Sequence, residues 1–299
     1  MTSENIPFVS VVVPHRGNLD PLLACLAALR DQTYGRENFE IIVSLNDDAF
    51  TPLPNLPSCA DLVVWEPEGF SYAARNAALA KASGTIVAFT DSDTTASPTW
   101  LAEGVRFLDR GFDLCAGKIE LTFKSVQHSP AASYEKVYSF DQRKNARAGF
   151  STTANLFVKK HVIDTIGFFP SEAVTGADFE WTKCATKTGF LLDYCPTAAV
   201  FHPARETWVS LMSKTRRKAN FHRLGSSHRL NMRELVSRMI FRYLSQPSLE
   251  RVRSATFGEL TSAFAVNMIL LFATTGLVMQ NSFSVRKRRK HKTGGNVGL

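Results

Sequence analysis

Short apolar runs, rich in β-branched residues, alternate along the chain with segments of helical period. The runs predict strands at 8–14, 40–45, 61–65, 85–90, 114–123, 191–194 and 198–202, and 155–166 is expected to be a strand followed by a helix. Predicted helices cover 19–33, 71–82, 98–109 and 176–189, whereas 125–149 has no clear period and is expected to be a loop or short helices. Continuous apolar runs indicate strands buried on both faces. The pattern therefore predicts an α/β fold with a mostly parallel sheet flanked by helices.

Two acids, Asp91 and Asp93, directly follow the fourth predicted strand in the segment VAFTDSDTTASP. Ligands of parallel sheets collect at the carboxyl ends of strands. Two carboxylates one residue apart repel each other unless a cation lies beside them, and oxygen ligands suit Mg²⁺ or Mn²⁺ shared with substrate phosphates. The pattern favours a cation site that holds a diphosphate, and the alternative is a solvated turn.

Two other kinds of site share part of this motif. A calcium loop that begins at Asp91 requires glycine at its sixth position and glutamate at its twelfth, where the chain has Ala96 and Ala102, so this interpretation is excluded. The segment 91–95 also fits the D-x-D-x-T motif of haloacid-dehalogenase-like phosphatases, with Asp91 as nucleophile. That motif normally ends the first strand of its fold, and here three predicted strands precede it. The phosphatase stays as an alternative.

Five segments, in order, resemble family 2 glycosyltransferases with a GT-A fold. They are VSVVVPHRGN, GFSYAARNAALAKASGTIVAFTDSDTTASPTWL, STTANLFVKKHVIDTIGFFP, TGADFEWTKCATKTGF and AAVFHP. Each is weak alone, but together they span about 200 residues in the order of that family. The resemblance implies a nucleotide-sugar-binding and catalytic domain over residues 1–204, with a divalent cation, Mg²⁺ or Mn²⁺, as cofactor.

The resemblance also implies roles for individual residues. Asp93 would bind the metal, Asp91 the ribose or a metal-bound water, and His202 would complete the metal site or contact the diphosphate. Asp178 matches the catalytic base, and Glu180 is the alternative because many relatives have Glu-Asp where this chain has Ala177-Asp178. The implied nucleotide-binding residues are Pro14, His15, Arg16, Asn46, Asp47, Arg75, Asp91 and Ser92.

One departure from the family concerns the nucleotide base. Relatives often place an aspartate that reads uracil where this chain has Leu45, and the chain offers Asn46, Asp47 and Asp48 instead. An asparagine presents both a donor and an acceptor to a base edge. A UDP-sugar is therefore expected, with the identity of the base open.

The charge of the chain changes sign beyond residue 204. Residues 1–204 carry 17 Lys+Arg against 23 Asp+Glu, a net charge of −6, whereas 205–299 carry 18 against 4, a net charge of +14. A basic C-terminal third indicates an anionic partner surface.

The five cysteines are scattered without a CxxC pair, which argues against a zinc site or a disulfide framework and favours a reducing compartment. No signal peptide is expected at 1–15.

The basic region contains a candidate membrane segment. Residues 261–279 carry no formal charge and are about long enough for one span. The basic run RKRRKHK follows at 286–292, and basic and apolar residues mix over 214–244, as in helices that lie in a membrane interface. A single span would place the basic tail outside, so a re-entrant or interfacial helix fits the positive-inside tendency better. The alternative is a buried core or oligomer helix.

These observations together predict a metal-dependent, inverting glycosyltransferase at the cytoplasmic face of the cell membrane. Its partners would be a nucleotide-diphosphate sugar, a glycan or glycolipid acceptor and an anionic membrane surface contacted by 205–299. Nucleic-acid binding is not expected, because the sequence has no RNA-binding aromatic motif and no zinc finger. The alternatives are the phosphatase and a non-catalytic nucleotide-sugar-binding membrane scaffold.

Overall fold

The computed structural model describes residues 6–46, 59–125, 129–173, 175–224, 247 and 249–293. The chain divides into two units. The sheet unit runs up to Thr122 and includes Phe140–Pro203, and the helical unit joins Phe123–Ser139 to the chain from Ala204 onward. The segment 123–139 thus belongs with the C-terminal helices, and the predicted domain boundary near 204 stays a prediction.

The sheet unit is built on one eight-stranded sheet of order β3-β2-β1-β4-β7-β6-β8-β5. Neighbours are parallel in β1/β2, β2/β3, β1/β4 and β6/β8, and antiparallel in β4/β7, β6/β7 and β5/β8. The predicted mixed, mostly parallel sheet is therefore confirmed. The strands are β1 Val9–His15, β2 Phe39–Leu45, β3 Leu62–Trp65, β4 Ile86–Thr90, β5 Thr95–Ala96, β6 Leu114–Thr122, β7 Asn155–Lys159 and β8 Leu192–Pro203.

Helices cover both faces of this sheet. Val9, Val11 and Val13 of β1 belong to the core cluster shared with α1 and α3, whereas Val12 belongs to the cluster shared with α2, α6 and α7. This alternation is the period of two that a strand buried on both faces requires. The helices of the sheet unit are α1 Leu19–Arg30, α2 Ser71–Leu79, α3 Trp100–Leu108, α5 Gln142–Arg147, α6 Lys160–Ile166 and α7 Ala177–Thr188.

β8 is one strand where the sequence predicted two. Its pairing with β6 shifts register between Gly117 and Lys118, so that residues 196–198 of β8 have no partner on β6. The Asn155 amide bridges this irregularity, since its Nδ2 donates to the carbonyls of Lys118 (2.7 Å) and Ala198 (2.9 Å). After the bulge the ladder resumes and carries the strand on to its end, which fixes the position of His202.

The helical unit consists of α4 Pro130–Tyr138, α8 Trp208–Leu224, α9 Leu249–Arg253 and α10 Phe257–Thr293. Its apolar core joins Ala131 and Tyr134 of α4 to Leu211 of α8 and to Val266 and Leu270 of α10. Within α10, Phe257–Leu277 is long and apolar enough to cross a membrane by length and composition, with a mean hydropathy of 1.7, and a third of it is buried.

A buried ion cluster also holds α4 to α8. The carboxylate of Glu135 is fully buried and accepts from Lys214 Nζ at 2.7 Å and from Arg205 Nη1 at 3.4 Å. α4 lies in the segment where the sequence showed no period. The reason is that its buried positions include Ser133 and this glutamate, so no apolar stripe marks the helix.

Candidate functional site

Two carboxylates and one imidazole meet at the carboxyl ends of β4 and β8. Asp91 and Asp93 follow β4, and His202 is the last residue but one of β8. The pairing of Thr95 with Phe201 brings these strand ends together. The candidate ligand atoms of the three residues lie within 4.8 Å of one another, and His202 Nε2 is 3.5 Å from Asp93 Oδ1. The structure thus joins the three residues that the sequence proposed as metal ligands.

The surroundings of His202 leave its outer nitrogen available. Nδ1 lies 2.9 Å from the carbonyl oxygen of Pro203, which can only accept a hydrogen bond. In the neutral ring Nδ1 therefore carries the proton, and Nε2 presents a lone pair toward Asp93. The ring is 2% exposed and packs 4.8 Å from the Phe140 ring, so its orientation is fixed. Two carboxylates and a neutral imidazole form a ligand set that fits a divalent cation.

Arg75 compensates part of the negative charge at this site. Its Nη2 donates to Asp91 Oδ1 at 2.6 Å, and its Nη1 donates to the Ser71 carbonyl at 3.2 Å. The Arg75 side chain is 7% exposed and that of Asp91 30%. The Asp91 carbonyl also accepts from the backbone N–H (3.2 Å) and the hydroxyl (2.8 Å) of Thr94, which closes the turn between the two acids. The acid pair is therefore held on a rigid turn rather than on a mobile loop.

The ends of β1 and β2 lie beside this turn. His15 Nδ1 is 3.0 Å from Ser92 Oγ, and His15 Nε2 is 3.2 Å from the Gly17 carbonyl. The backbone N–H of Asn46 donates to the His15 carbonyl at 3.0 Å. Asn46 is 4% exposed, and its Oδ1 has no hydrogen-bond partner in the part of the chain described. A buried amide oxygen without a donor is a position where a ligand N–H would be favourable.

Three other proposed nucleotide-binding residues occupy different settings. Pro14 is buried within β1, and Arg16 is exposed and donates to the Gly69 carbonyl at 3.3 Å. Asp47 lies outside the described residues, as do the basic residues proposed for membrane contact at 229, 233, 238 and 242.

Asp178 lies at the start of α7 and is 6% exposed. Its Oδ1 accepts from the Tyr72 hydroxyl (2.8 Å) and the Phe179 N–H (3.0 Å), and its Oδ2 accepts from the Thr153 N–H (3.2 Å). These three bonds fix the orientation of the carboxylate at the start of the helix. Glu180 lies two residues further along the helix and is exposed, so the two acids point in different directions.

Tyr72 connects Asp178 to the acid pair, and the sequence analysis did not single it out. The Arg75 guanidinium lies 5.4 Å from the centre of the Tyr72 ring, and the same guanidinium binds Asp91. Burial, and then the negative charge of Asp178, raise the pKa of the Tyr72 hydroxyl well above its usual range, so it stays a hydrogen-bond donor. An aromatic residue three positions before Arg75 on a predicted helix was the available signal.

The mixed, mostly parallel sheet flanked by helices matches the GT-A-like fold of glycosyltransferases of known structure. The structure resembles the mannosyltransferase PcManGT from Pyrobaculum calidifontis in complex with GDP-Man and Mn²⁺, with a TM-score of 0.56 and 18% identity over 96% of this chain and 82% of that one. It also resembles S. aureus TarS in complex with UDP-GlcNAc, with a TM-score of 0.54 and 16% identity over 95% and 92% of the two chains.

Sequence comparison identifies the family. Residues 10–166 match glycosyl transferase family 2. The chain is also 32% identical to Glycosyltransferase AglE of Haloferax volcanii over 213 residues, which are 69% of each protein. The chain therefore belongs to glycosyl transferase family 2 and is a glycosyltransferase. This assignment confirms the resemblance seen in the sequence and decides against the phosphatase alternative.

Proposed function

We propose that this chain is a cation-dependent, inverting glycosyltransferase that moves a sugar from a nucleoside diphosphate to a hydroxyl group of a lipid-linked glycan. The observation that carries the proposal is the convergence of Asp91, Asp93 and His202, with ligand atoms within 4.8 Å, on a family 2 fold. The GDP-Man and Mn²⁺ complex of the mannosyltransferase and the UDP-GlcNAc complex of TarS support a nucleotide-sugar donor and a divalent cation.

The donor side consists of charged groups around the strand ends. A divalent cation, Mg²⁺ or Mn²⁺, held by Asp91, Asp93 and His202 would offset the negative charge that a diphosphate leaving group develops. Arg75 orients Asp91 through its 2.6 Å ion pair. Ser92 and His15, 3.0 Å apart, line the same strand ends and are proposed to contact the nucleotide.

The base of the nucleotide is proposed to meet Asn46. Its Oδ1, which has no partner within the described part of the chain, can accept from the imino N–H of uracil or guanine. Cytosine and adenine have a ring nitrogen that only accepts at the corresponding position, so they could pair with this oxygen only through their exocyclic amino groups. A uridine or guanosine diphosphate sugar therefore fits, and we propose a UDP-sugar first.

The acceptor side is proposed to use Asp178 as general base. The acceptor hydroxyl gives its proton to this carboxylate while its oxygen bonds to the anomeric carbon. The bond from that carbon to the diphosphate oxygen breaks, and its electron pair leaves with the diphosphate. A single displacement of this kind inverts the anomeric configuration, and one carboxylate is enough for it.

A lipid-linked acceptor is proposed from the helical unit. One side of α10 exposes Phe264 (58%), Ile269 (49%) and Phe272 (71%), while Val266 and Leu270 on the other side are buried. The basic run 286–292 follows on the same helix. An exposed apolar face beside basic residues suits an anionic bilayer surface. We propose that α10 lies on the cytoplasmic face of the membrane and presents the catalytic unit to lipid-linked acceptors.

The test uses the full-length protein with UDP-GlcNAc and GDP-mannose as probe donors, each with and without Mn²⁺. The melting temperature should rise with one of these donors only when Mn²⁺ is present, and a membrane lipid extract should then receive labelled sugar from it. Stabilisation without release of UDP or GDP, with or without the extract, would instead support the non-catalytic scaffold. Equal stabilisation with and without Mn²⁺ would contradict the cation dependence.

A further inference from the structure

We infer that Tyr72 is a positioning residue that holds Asp178 by one oxygen and leaves Oδ2 as the atom that receives the acceptor proton. The inference rests on the proposed role of Asp178 as general base. Its basis is the unequal pairing of the two carboxylate oxygens and the burial of both side chains, which are 5% (Tyr72) and 6% (Asp178) exposed.

The two oxygens of Asp178 differ in their remaining capacity. A carboxylate offers about four acceptor positions, two on each oxygen. Oδ1 uses both of its positions, for the Tyr72 hydroxyl at 2.8 Å and the Phe179 N–H at 3.0 Å. Oδ2 uses one, for the Thr153 N–H at 3.2 Å. A substrate hydroxyl can therefore donate to Oδ2 without displacing a protein donor, whereas at Oδ1 it would compete with Tyr72.

Removing the Tyr72 hydroxyl would also change how Asp178 binds a proton. A hydrogen bond donated to a carboxylate favours its charged form and lowers its pKa. Among the described residues, the side chain that donates to the Asp178 carboxylate is that of Tyr72, whose ring lies against the Arg75 guanidinium, while Thr153 and Phe179 contribute backbone N–H groups. The Tyr72 hydroxyl is therefore the side-chain donor among these that a substitution can remove.

The substitution Tyr72→Phe isolates this one hydroxyl. The ring remains, so its packing against Phe169 (centroids 5.6 Å apart) and its contact with the Arg75 guanidinium (5.4 Å) are kept. The ion pair between Arg75 and Asp91 is therefore not altered directly. What changes is that Oδ1 loses a donor, and the carboxylate gains both proton affinity and freedom to rotate.

The first measurement follows the titration of Asp178 by carbon-13 NMR in full-length protein labelled at aspartate carboxyl groups, with Asp178→Asn to assign the signal. In Tyr72→Phe the midpoint should rise by about 0.5–1 pH unit, because one hydrogen bond to the charged form is lost. The matched control is Tyr34→Phe, which removes a hydroxyl that donates to the Pro7 carbonyl at 2.6 Å and should leave the Asp178 midpoint unchanged.

A second variant keeps the test valid if Tyr72→Phe does not fold. Replacing Tyr72 by 3-fluorotyrosine makes the hydroxyl a stronger donor, so the Asp178 midpoint should fall.

The third measurement is the pH dependence of donor turnover with UDP-GlcNAc or GDP-mannose and Mn²⁺. In Tyr72→Phe its acid limb should move up by the same 0.5–1 unit and kcat should fall, with KM for the donor unchanged.

The outcomes separate this inference from the proposed function. If Asp178→Asn keeps full turnover, Asp178 is not the base and the proposed mechanism fails, whatever the NMR shows. If Asp178→Asn is inactive but neither Tyr72 variant moves the midpoint or the acid limb, the positioning role of Tyr72 is wrong and the base assignment stands. If Tyr72→Phe loses activity but keeps the pH profile of the wild type, Tyr72 contributes only to packing, and the inference is wrong.

Discussion

The acid pair and Asp178 belong to the same sheet unit and have opposite environments. The Asp93 side chain is 45% exposed, and only Ser92 separates it in the sequence from a second acid, Asp91. The buried guanidinium of Arg75 forms an ion pair with Asp91. Asp178 is 6% exposed and accepts three hydrogen bonds from its surroundings. The first arrangement leaves negative charge that a cation can balance, whereas the second stabilises one carboxylate with neutral donors. Carboxylates in such different environments can take different chemical roles.

The strongest test of this contrast is Asp178→Asn. Donor binding should be kept, while sugar transfer should fall about 10²–10⁴-fold, because general-base assistance typically contributes that much. The asparagine amide would also place its N–H₂ group next to the Thr153 N–H, so that two donors face each other. The free energy of unfolding should therefore fall by about 1 kcal/mol. Initial rates of UDP or GDP release, and donor affinity by calorimetry, measure the two effects.

Glu180→Gln is the control for this substitution. Glu180 shares the first turn of α7 with Asp178 but is exposed, so its loss should change turnover by no more than about twofold. If Glu180→Gln were the variant that binds donor without transferring sugar, the base assignment would be reversed.

Asp93→Ala tests the other side of the contrast. Loss of an outer-shell partner of a metal site typically lowers metal affinity about 10–100-fold. Asp93 is proposed to bind the metal directly, so its removal should lower the Mn²⁺-dependent nucleotide affinity by at least that much. Because Asp93 is exposed, the melting temperature without ligand should hardly change. Titrations of UDP and GDP with and without Mn²⁺ measure the difference. Asp164→Ala, an exposed acid paired with Lys160 on α6, is the matched control and should bind like the wild type.

The sheet unit was largely predictable because its residues obey local rules. Buried strands appear as apolar runs, and two acids at the carboxyl end of a parallel strand fit a ligand site. The roles of Asp91, Asp93, His202 and Asp178 came from the family resemblance, and the structure brings the first three together. Their functional roles stay predictions until the variants are measured.

The features that the sequence did not reveal depend on tertiary contacts. α4 has a fully buried glutamate paired with Lys214 and Arg205, so no apolar stripe distinguished a short helix from a loop in this segment. The contact of Tyr72 with Asp178 joins residues 106 positions apart. β8 contains a bulge at which Asn155 of β7 donates to the Ala198 carbonyl. The sequence pattern predicted two strands there, one on each side of the bulge.

The contrast between exposed and buried sides extends to α10 and can be tested there. Phe272→Ser changes a side chain that is 71% exposed, so the fold should be as stable as the wild type in water. If this face enters a bilayer, binding to vesicles of phosphatidylglycerol and phosphatidylcholine should weaken about tenfold, since an interfacial ring is only partly buried. Vesicle co-sedimentation at low and high salt gives the affinity.

Val266→Ser on the buried side of α10 is the counterpart. It should cost about 2 kcal/mol of folding stability, because Val266 is 3% exposed and packs in the core of the helical unit. Binding by wild type should also weaken as salt screens the basic residues. If the wild-type protein does not bind these vesicles at low salt, the exposed face of α10 does not contact a membrane and has another partner.

Asn46 lies between the two cases, since it is buried like Asp178 but its Oδ1 has no hydrogen-bond partner among the residues that the structure describes. Asn46→Leu removes that oxygen and keeps a side chain of similar length. A neutral hydrogen bond contributes about 0.5–1.5 kcal/mol, so the affinity for the preferred nucleotide, UDP or GDP, should fall about 2–10-fold. CDP provides the internal control, because its base offers no imino N–H to this oxygen, and its weaker binding should be unchanged or improved. Competition titrations in Mn²⁺ compare the three nucleotides in both proteins. An equal loss for all three would mean that Asn46 supports the end of β2 and does not read the base, and the choice between uridine and guanosine would then depend on other residues.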